Sequence, residues 1–186
     1  MTAAECIEEI RRVIADALLQ SSAFLTYYDA DVLDHLAISR RRYPTFMRAS
    51  EDAHLGHAVV LLYSLQETRH DTANFSQLRR LIESEASAPV PPNPKLEDIL
   101  AKAKPLWVKV GIVRNQVFGH RSAERSRDEC FEIAKITPNN LADLARLYED
   151  AINTVSIARG EPTWKPLMDV GPDLKKVLAL LGAPRA

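Results

Sequence analysis

Apolar residues recur at helical spacing in several stretches of this 186-residue chain, and no stretch shows sustained alternation of apolar and polar positions. The first pattern places four apolar side chains on one face: Ile7, Ile10, Ile14 and Leu18. Thr2 and Glu5 precede it with the spacing of a capping box, in which two side chains satisfy free N–H groups at a helix start. The pattern predicts a first helix that runs to about Leu25.

Three more helices are predicted before the middle of the chain. A short one covers residues 28–42 and ends in three arginines before Pro44. A second long helix begins at Pro44 or Ser50 and fades near His70, where turn and cap residues follow. A shorter third one has its apolar face formed by Phe75, Leu78 and Leu81 or Ile82.

Four prolines within residues 88–94 interrupt the helical pattern, because proline cannot continue a helix. Asn93 predicts the cap of a new long helix, with Pro94 at its first position. An apolar stripe follows along this helix: Leu96, Leu100, Ala103, Trp107, Val110, Val113 and Val117. The helix is expected to weaken at Gly119, since glycine commonly follows a helix end.

The remaining patterns complete an all-α chain. Thr137-Pro138 predicts the start of a further long helix that Gly160 ends, and a short helix is expected over residues 173–181. Four main helices predict an antiparallel four-helix bundle over residues 1–160, with an extra short helix. Residues 161–186 are expected to form a C-terminal tail with its own short helix.

Charge and cysteine content narrow the function classes. Lysine and arginine total 24 and aspartate and glutamate total 25, a formal net charge of −1, so nucleic-acid binding needs a local basic surface. Cys6 and Cys130 lack the spacing of a metal site or a disulfide scaffold, which favours a reducing compartment and predicts a cytoplasmic protein. No signal-peptide pattern or membrane-length apolar run occurs in the sequence, so no membrane partner is expected.

The segment with the clearest chemistry is Arg114-Asn115-Gln116-Val117-Phe118-Gly119-His120, at the end of the long helix that Pro94 begins. Arginine carries a permanent positive charge and several N–H donors that suit a phosphate group. Histidine is the side chain best placed to move a proton near neutral pH. Arg114, Asn115 and His120 are therefore residue types that suit cleavage of a phosphodiester.

On this motif the chain resembles the HEPN superfamily, most closely its AbiU-type abortive-infection branch, where an Arg-Asn…Ala-His motif follows a long helix of a four-helix bundle. The resemblance covers residues 5–160. It implies a metal-independent ribonuclease, often a toxin in phage defence or in a toxin–antitoxin pair, whose site forms between two protomers. Arg114, Asn115 and His120 occupy the matching positions, and Gly119 stands where the family pattern has alanine.

The implied reaction gives each of these residues a role. Cleavage of RNA without a metal requires deprotonation of a 2′-hydroxyl, stabilisation of the pentacoordinate phosphate and protonation of the leaving 5′-oxygen. His120 is the expected base or acid, Arg114 holds the phosphate, and Asn115 orients the imidazole or the ribose. One protomer contributes a single motif histidine, so a two-fold homodimer is expected. The products would be a 2′,3′-cyclic phosphate and a 5′-hydroxyl, with no cofactor.

Three arginines after the motif are expected to contact the RNA backbone: Arg121, Arg125 and Arg127. A solvated loop is the alternative interpretation of these residues. RNA as substrate and, for a toxin, an antitoxin protein are the expected partners.

A metal site is a competing interpretation that the spacing does not favour. Glu51-x-x-His54 and Glu67-x-x-His70 match the Glu-x-x-His pattern of di-iron bundles. Both fall on one predicted helix, about 24 Å apart at the α-helical rise, whereas a di-iron site needs them on facing helices. His54, His57 and Glu51 offer three ligands without a fourth. No metal site is predicted.

The main alternative function is a non-catalytic HEPN-like bundle that dimerises, or binds RNA, a nucleotide or an antitoxin, through the same helix end, since fold alone does not establish activity. An inert helical scaffold is the third alternative, and a monomeric chain would favour it. An accessible His120 close to the partner's Arg114 would favour the enzyme. A His120 buried within its own protomer would favour the binding module.

Overall fold

The computed structural model describes residues 1–86, 93–119, 125–166 and 169–183. Within these ranges the chain forms eight α-helices and no β-strand, which confirms the expected all-helical fold class. The α-helices are α1 Ala3–Thr26, α2 Leu33–Arg42, α3 Pro44–Ser64, α4 Phe75–Glu85, α5 Pro94–Val113, α6 Arg127–Ala134, α7 Pro138–Ala158 and α8 Gly171–Gly182. A 3₁₀ turn, Ala30–Val32, precedes α2, and a π-helical segment, Arg114–Gly119, continues α5.

Local side-chain caps explain several helix starts. Glu5 N donates a hydrogen bond to Thr2 Oγ1, and Thr2 N donates to the Glu5 carboxylate, which is the predicted capping box of α1. At α4, Gln77 N donates to Asn74 Oδ1 at 2.8 Å. Asn93 caps α5 in the same way. Each bond satisfies an N–H group that has no partner within its own helix.

Two regions differ from the pattern-based expectation. Helix α3 ends at Ser64 and does not continue to His70, because the chain turns there and the Asn74 side chain donates to the Arg69 carbonyl oxygen at 2.8 Å. Helix α6 is not predicted by any apolar periodicity, although Ser126 forms a capping box at its start. Residues 88–92 of the predicted proline break lie outside the described residues.

The four long helices, α1, α3, α5 and α7, share the main apolar core. Helix α1 packs against α3 and α7, and α5 packs against the same two helices. The largest fully buried side chains of this core are Ile7, Ile10, Ile14, Leu62, Leu65, Leu78, Leu141, Leu144 and Tyr148. Burial of each large apolar side chain contributes about 1.5–3 kcal/mol, so this core is the main source of stability.

The C-terminal helix α8 packs against α1 and α2. A second, smaller apolar cluster lies at this contact: Tyr27, Val32, Leu36, Met47 and Leu178. Lys175 of α8 adds an ion pair with Asp29, with a distance of 2.5 Å between nitrogen and oxygen. None of the described helices has the length and apolarity that a membrane span requires.

Candidate functional site

The motif begins where the regular, core-facing part of α5 stops. Helix α5 buries Val110, Gly111 and Val113 in its last turn, whereas none of the residues of the π-segment, Arg114–Gly119, is buried. In a π-helix the backbone hydrogen bonds join residues five positions apart, and such turns are rare and often found at functional sites. Residues 114–119 of the motif are therefore presented on a widened turn at the surface.

The π-segment accounts for glycine at position 119. A Cβ atom added to Gly119 would lie 2.9 Å from the carbonyl oxygen of Arg114. That distance is too short for a real Cβ contact, and a backbone oxygen cannot move aside as the end of a flexible side chain can. An alanine at this position would require the turn to change. The difference from the HEPN pattern at Gly119 is thus coupled to the local backbone geometry.

Arg114 is oriented by an amide and by an aromatic ring. Its Nη1 donates to Asn115 Oδ1 at 2.8 Å, and its guanidinium carbon lies 5.0 Å from the centroid of the Tyr63 ring. Such a cation–π contact contributes about 0.5–1 kcal/mol at an exposed site. Among the described residues, no carboxylate pairs with Arg114. Its charge is half-buried, oriented and available to an anion.

Tyr63 is held in turn by Trp107 of α5. The two rings stack with centroids 5.1 Å apart and planes inclined by 9°, and Trp107 Nε1 donates to the Tyr63 carbonyl oxygen at 2.9 Å. Lys104 Nζ lies 4.0 Å from the centroid of the Trp107 ring. The two rings stack on each other, and each also contacts a cation, Arg114 at Tyr63 and Lys104 at Trp107. Because the rings already have these partners, a packing role is favoured over stacking on RNA bases.

Phe118 fixes the π-segment to α3. Its ring lies against Gly56, where an added Cβ atom would be 3.0 Å from the nearest ring carbon. Glycine has no side chain at this point, so the ring can approach the α3 backbone closely. Phe118 and Val117 also pack against the main core from its edge. The orientation of the π-segment therefore depends on a small number of contacts.

A cavity of about 450 Å³ lies beside the π-segment, and three arginines contribute to its wall. Its lining residues are Arg48, Asp52, Gln116, Val117, Phe118, Arg125 and Arg127. The Arg127 guanidinium donates to both Asp52 oxygens, at 2.8 and 2.5 Å, and this lowers the pKa of the Asp52 carboxyl below its ordinary value. Arg127 therefore connects α6 to α3. Arg48 forms no hydrogen bond or ion pair with any described residue.

The structure brings part of the predicted site together. Arg114 and Asn115 are adjacent and hydrogen-bonded, and Arg125 and Arg127 lie together in the cavity wall. The predicted base or acid, His120, and the predicted RNA contact, Arg121, lie outside the described residues. Their roles stay predictions.

The sequence does not predict Tyr63, Arg48 or Asp52 as residues of the site. Tyr63 is distant in sequence from Arg114, and no local pattern indicates that α3 and the π-segment meet. Arg48 had a usable signal, because Arg48 and Asp52 are four positions apart and so share one face of a helix.

The residues of the disfavoured metal patterns have other contacts. His54 Nδ1 lies 2.7 Å from Gln20 Oε1, and burial lowers the pKa of His54. Across the described part of the chain, no group of three or more histidine, cysteine, aspartate or glutamate side chains is placed to hold a metal ion.

Comparison of the chain with protein-family models, with curated proteins and with solved structures yields no match.

Proposed function

We propose that this protein is a metal-independent endoribonuclease of the HEPN type, built on an antiparallel four-helix bundle, and that it acts as a toxin or abortive-infection protein. Arg114 is the observation that carries the proposal. Its guanidinium is held by Asn115 and Tyr63 and is not neutralised by a described carboxylate. An oriented, unpaired cation of this kind is what binding and charge stabilisation of a phosphodiester require.

In the proposed reaction, Arg114 binds the non-bridging oxygens of the scissile phosphate and stabilises the charge that develops in the transition state. Asn115 keeps the guanidinium oriented through its amide oxygen. His120 removes the proton of the 2′-hydroxyl or protonates the leaving 5′-oxygen. Loss of one preorganised donor of this type commonly reduces kcat by about 10²–10³. We therefore expect a reduction of this size for Arg114→Gln.

A two-fold homodimer is part of the proposal, because the reaction needs both an acid and a base and one motif supplies a single histidine. Asn115 and Gly119 are exposed, so a second protomer has room to approach this end of α5. An antitoxin protein that covers the same surface would silence the enzyme. These partners follow from the proposal and share its test.

The experiment is incubation of the purified protein with total RNA in EDTA, beside His120→Ala and beside His70→Ala as a matched control. His70 lies in the exposed loop after α3, far along the chain from the motif. Cleavage by the wild-type and His70→Ala proteins but not by His120→Ala, leaving 2′,3′-cyclic phosphate ends, would support the enzyme. RNA binding without cleavage by any of the three would favour the non-catalytic module.

A further inference from the structure

We infer that the cavity between α3, the π-segment and α6 binds the phosphate backbone of an RNA strand. The wall residues that define this phosphate cavity are Arg48, Asp52, Gln116, Val117, Phe118, Arg125 and Arg127. The inference rests on the proposed function for the identity of the strand as substrate. Through this cavity the protein would hold the substrate at a point away from the scissile bond.

The charge of the phosphate cavity differs from that of the chain as a whole. Three guanidinium groups and one carboxylate line it, whereas the complete chain has a formal net charge of −1. Guanidinium groups present paired N–H donors whose geometry matches two oxygens of a phosphate. A local positive surface of this kind is what nucleic-acid binding needs in a protein without a net positive charge.

The arginines of the phosphate cavity have different roles. Arg127 is committed to Asp52 through two hydrogen bonds, so it fixes the wall of the cavity and contributes little free charge. Arg48 is exposed and makes no hydrogen bond or ion pair with a described residue, so its donors are available. Asp52 lies one helical turn after Arg48, on the same face of α3. Its hydrogen bonds with Arg127 fix this part of the cavity wall. Arg48 is thus the main phosphate ligand of the cavity.

Gln116 favours an RNA strand over a free phosphate ion. Its amide lines the cavity, and its Oε1 atom is buried without a hydrogen-bond partner among the described residues. An unpaired buried acceptor is unfavourable, so a donor at this point would stabilise the complex. Free hydrogen phosphate carries at most one or two P–O–H donors on the ion that the arginines would bind, whereas the bases of a strand carry N–H groups at a distance from the phosphate. The cavity volume of about 450 Å³ is within the range of sites for small ligands.

The test is a binding measurement with a probe that the proposed reaction cannot cleave. A fluorescein-labelled 12-nucleotide 2′-O-methyl RNA lacks the attacking hydroxyl, so fluorescence anisotropy reports binding alone. We expect Arg48→Gln to raise Kd by about fivefold to tenfold at low salt and to reduce the slope of log Kd against log salt by about 0.7, the loss of one phosphate contact. Arg48→Lys should retain most of that slope.

The matched control is Arg12→Gln, since Arg12 is an exposed arginine of α1 that pairs with Glu9. It should leave Kd and the salt slope unchanged. Equal effects of Arg48→Gln and Arg12→Gln, no effect of Arg48→Gln, or failure of the wild-type protein to bind the probe would each overturn the inference. Displacement of the probe by low millimolar inorganic phosphate, with sodium chloride matched in ionic strength, would assign the cavity to free phosphate and also overturn it.

The two proposals fail separately. If Arg48→Gln weakens binding and the wild-type protein does not cleave RNA in EDTA, the RNA-binding role of the phosphate cavity is supported and the ribonuclease activity is contradicted. If the wild-type protein cleaves RNA and Arg48→Gln binds and cleaves as well as wild type, the ribonuclease activity is supported and the RNA-binding role of the phosphate cavity is contradicted. Arg48 is exposed, so thermal unfolding followed by circular dichroism should show that its variants fold alike.

Discussion

Helix α5 and the π-segment that continues it are held in place by different forces. Helix α5 buries Ile99, Ala103, Val110 and Val113 against the main core, so apolar burial fixes its position. The π-segment buries none of its residues. Its position is set by the contact of the Phe118 ring with Gly56, by the contact of Arg114 with Tyr63, and by packing at the edge of the main core. A few polar and edge contacts can therefore set the geometry of the motif while contributing little to global stability.

This separation is common in proteins, because binding and catalytic segments are drawn from the parts of a structure that open at low free-energy cost. Helix α6 lies between these two extremes, because it is short but buries Cys130 and Ala134. It has eight residues, and its bidentate contact with Asp52 connects it to α3. We therefore expect changes in the core to alter unfolding, and changes in the π-segment or α6 to alter local order and activity.

The largest effect is expected for Leu62→Ala in the core. Leu62 is fully buried between the long helices, so its truncation leaves a cavity and should lower the free energy of unfolding by about 2–5 kcal/mol. Urea unfolding followed by circular dichroism measures this change. Leu180→Ala is the control, because Leu180 is 77% exposed and its loss should change stability by less than about 0.5 kcal/mol. A loss below 1 kcal/mol for Leu62→Ala would contradict the assignment of this core as the main source of stability.

The two native cysteines can compare the regions directly. Cys6 of α1 and Cys130 of α6 are both fully buried and free. Burial raises the pKa of the Cys6 thiol to about 11. In proteins with a single cysteine, made by Cys6→Ala or Cys130→Ala, we expect Cys130 to react with a disulfide reagent at pH 8 more than about tenfold faster, because α6 opens locally.

The urea dependence of these labelling rates separates local opening from any difference in the intrinsic reactivity of the two thiols. Labelling of Cys130 should depend weakly on urea, and labelling of Cys6 should follow the steep dependence of global unfolding. Both cysteines should react at similar rates in unfolding concentrations of urea. Equal and steep urea dependence at the two sites would mean that α6 is as firmly held as the core.

Gly119→Ala introduces the alanine of the HEPN pattern at a position where the geometry of the π-segment leaves no room for a Cβ atom. The added Cβ atom would lie 2.9 Å from the Arg114 carbonyl oxygen, so the π-segment must rearrange, at a cost of about 1–3 kcal/mol. We expect a measurable loss in RNA cleavage with a smaller loss in global stability, since the segment can relax toward solvent. Cleavage equal to or above that of wild type would show that the alanine-containing turn of the HEPN pattern is the active geometry.

A smaller effect is expected at Tyr63, which positions Arg114 without contacting substrate in the proposed reaction. Loss of the cation–π contact in Tyr63→Leu should reduce kcat/KM for RNA by about twofold to fivefold, which corresponds to about 0.5–1 kcal/mol. Tyr63→Phe keeps the ring and should retain activity. In a double-mutant cycle with Arg114→Gln, the effect of Tyr63→Leu should disappear. Persistence of the full effect there would indicate a role of Tyr63 in packing alone.

The difference between the two regions also explains what the sequence could predict. The caps at Thr2 and Asn93 and the apolar face of α1 are local signals, and each is found as predicted. The adjacent pair Arg114 and Asn115 is a local signal of the same kind. The π-segment was not predicted, because its widened turn depends on Phe118 reaching Gly56 on another helix. Contacts between distant segments leave no periodic trace in one sequence.

Helix α6 shows the same limit in a second form. Its capping box at Ser126 and Glu129 was present in the sequence, but eight residues with a short apolar face give little periodicity. Arg127 was predicted as an RNA contact and is found hydrogen-bonded to Asp52, which the spacing of charges along separate helices cannot indicate. Whether Arg125 and Arg127 contact RNA stays a prediction.

The smallest effect is expected for the ion pair that connects α6 to α3. Both side chains are about one-third exposed, at 36% for Asp52 and 37% for Arg127, so solvent screening limits the contribution of the pair to less than about 1 kcal/mol. The hydrogen bonds from Arg127 lower the pKa of Asp52 from its ordinary value of 3.8. A lowered pKa in the folded state stabilises the protein above pH 3.8, and this stabilisation is lost as pH falls from there through the lowered value.

Asp52→Asn should therefore be slightly less stable than wild type at pH 7, and the difference should shrink as the pH is lowered from 5 to 3. Urea unfolding at each pH measures the global difference, and hydrogen exchange of the α6 amides at pH 7 measures the local one, which should be larger because α6 depends on this contact. Asp98→Asn removes one member of an exposed pair with Lys102 and should change neither. A difference between Asp52→Asn and wild type that persists unchanged at pH 3 would mean that Asp52 acts through packing and not through its charge.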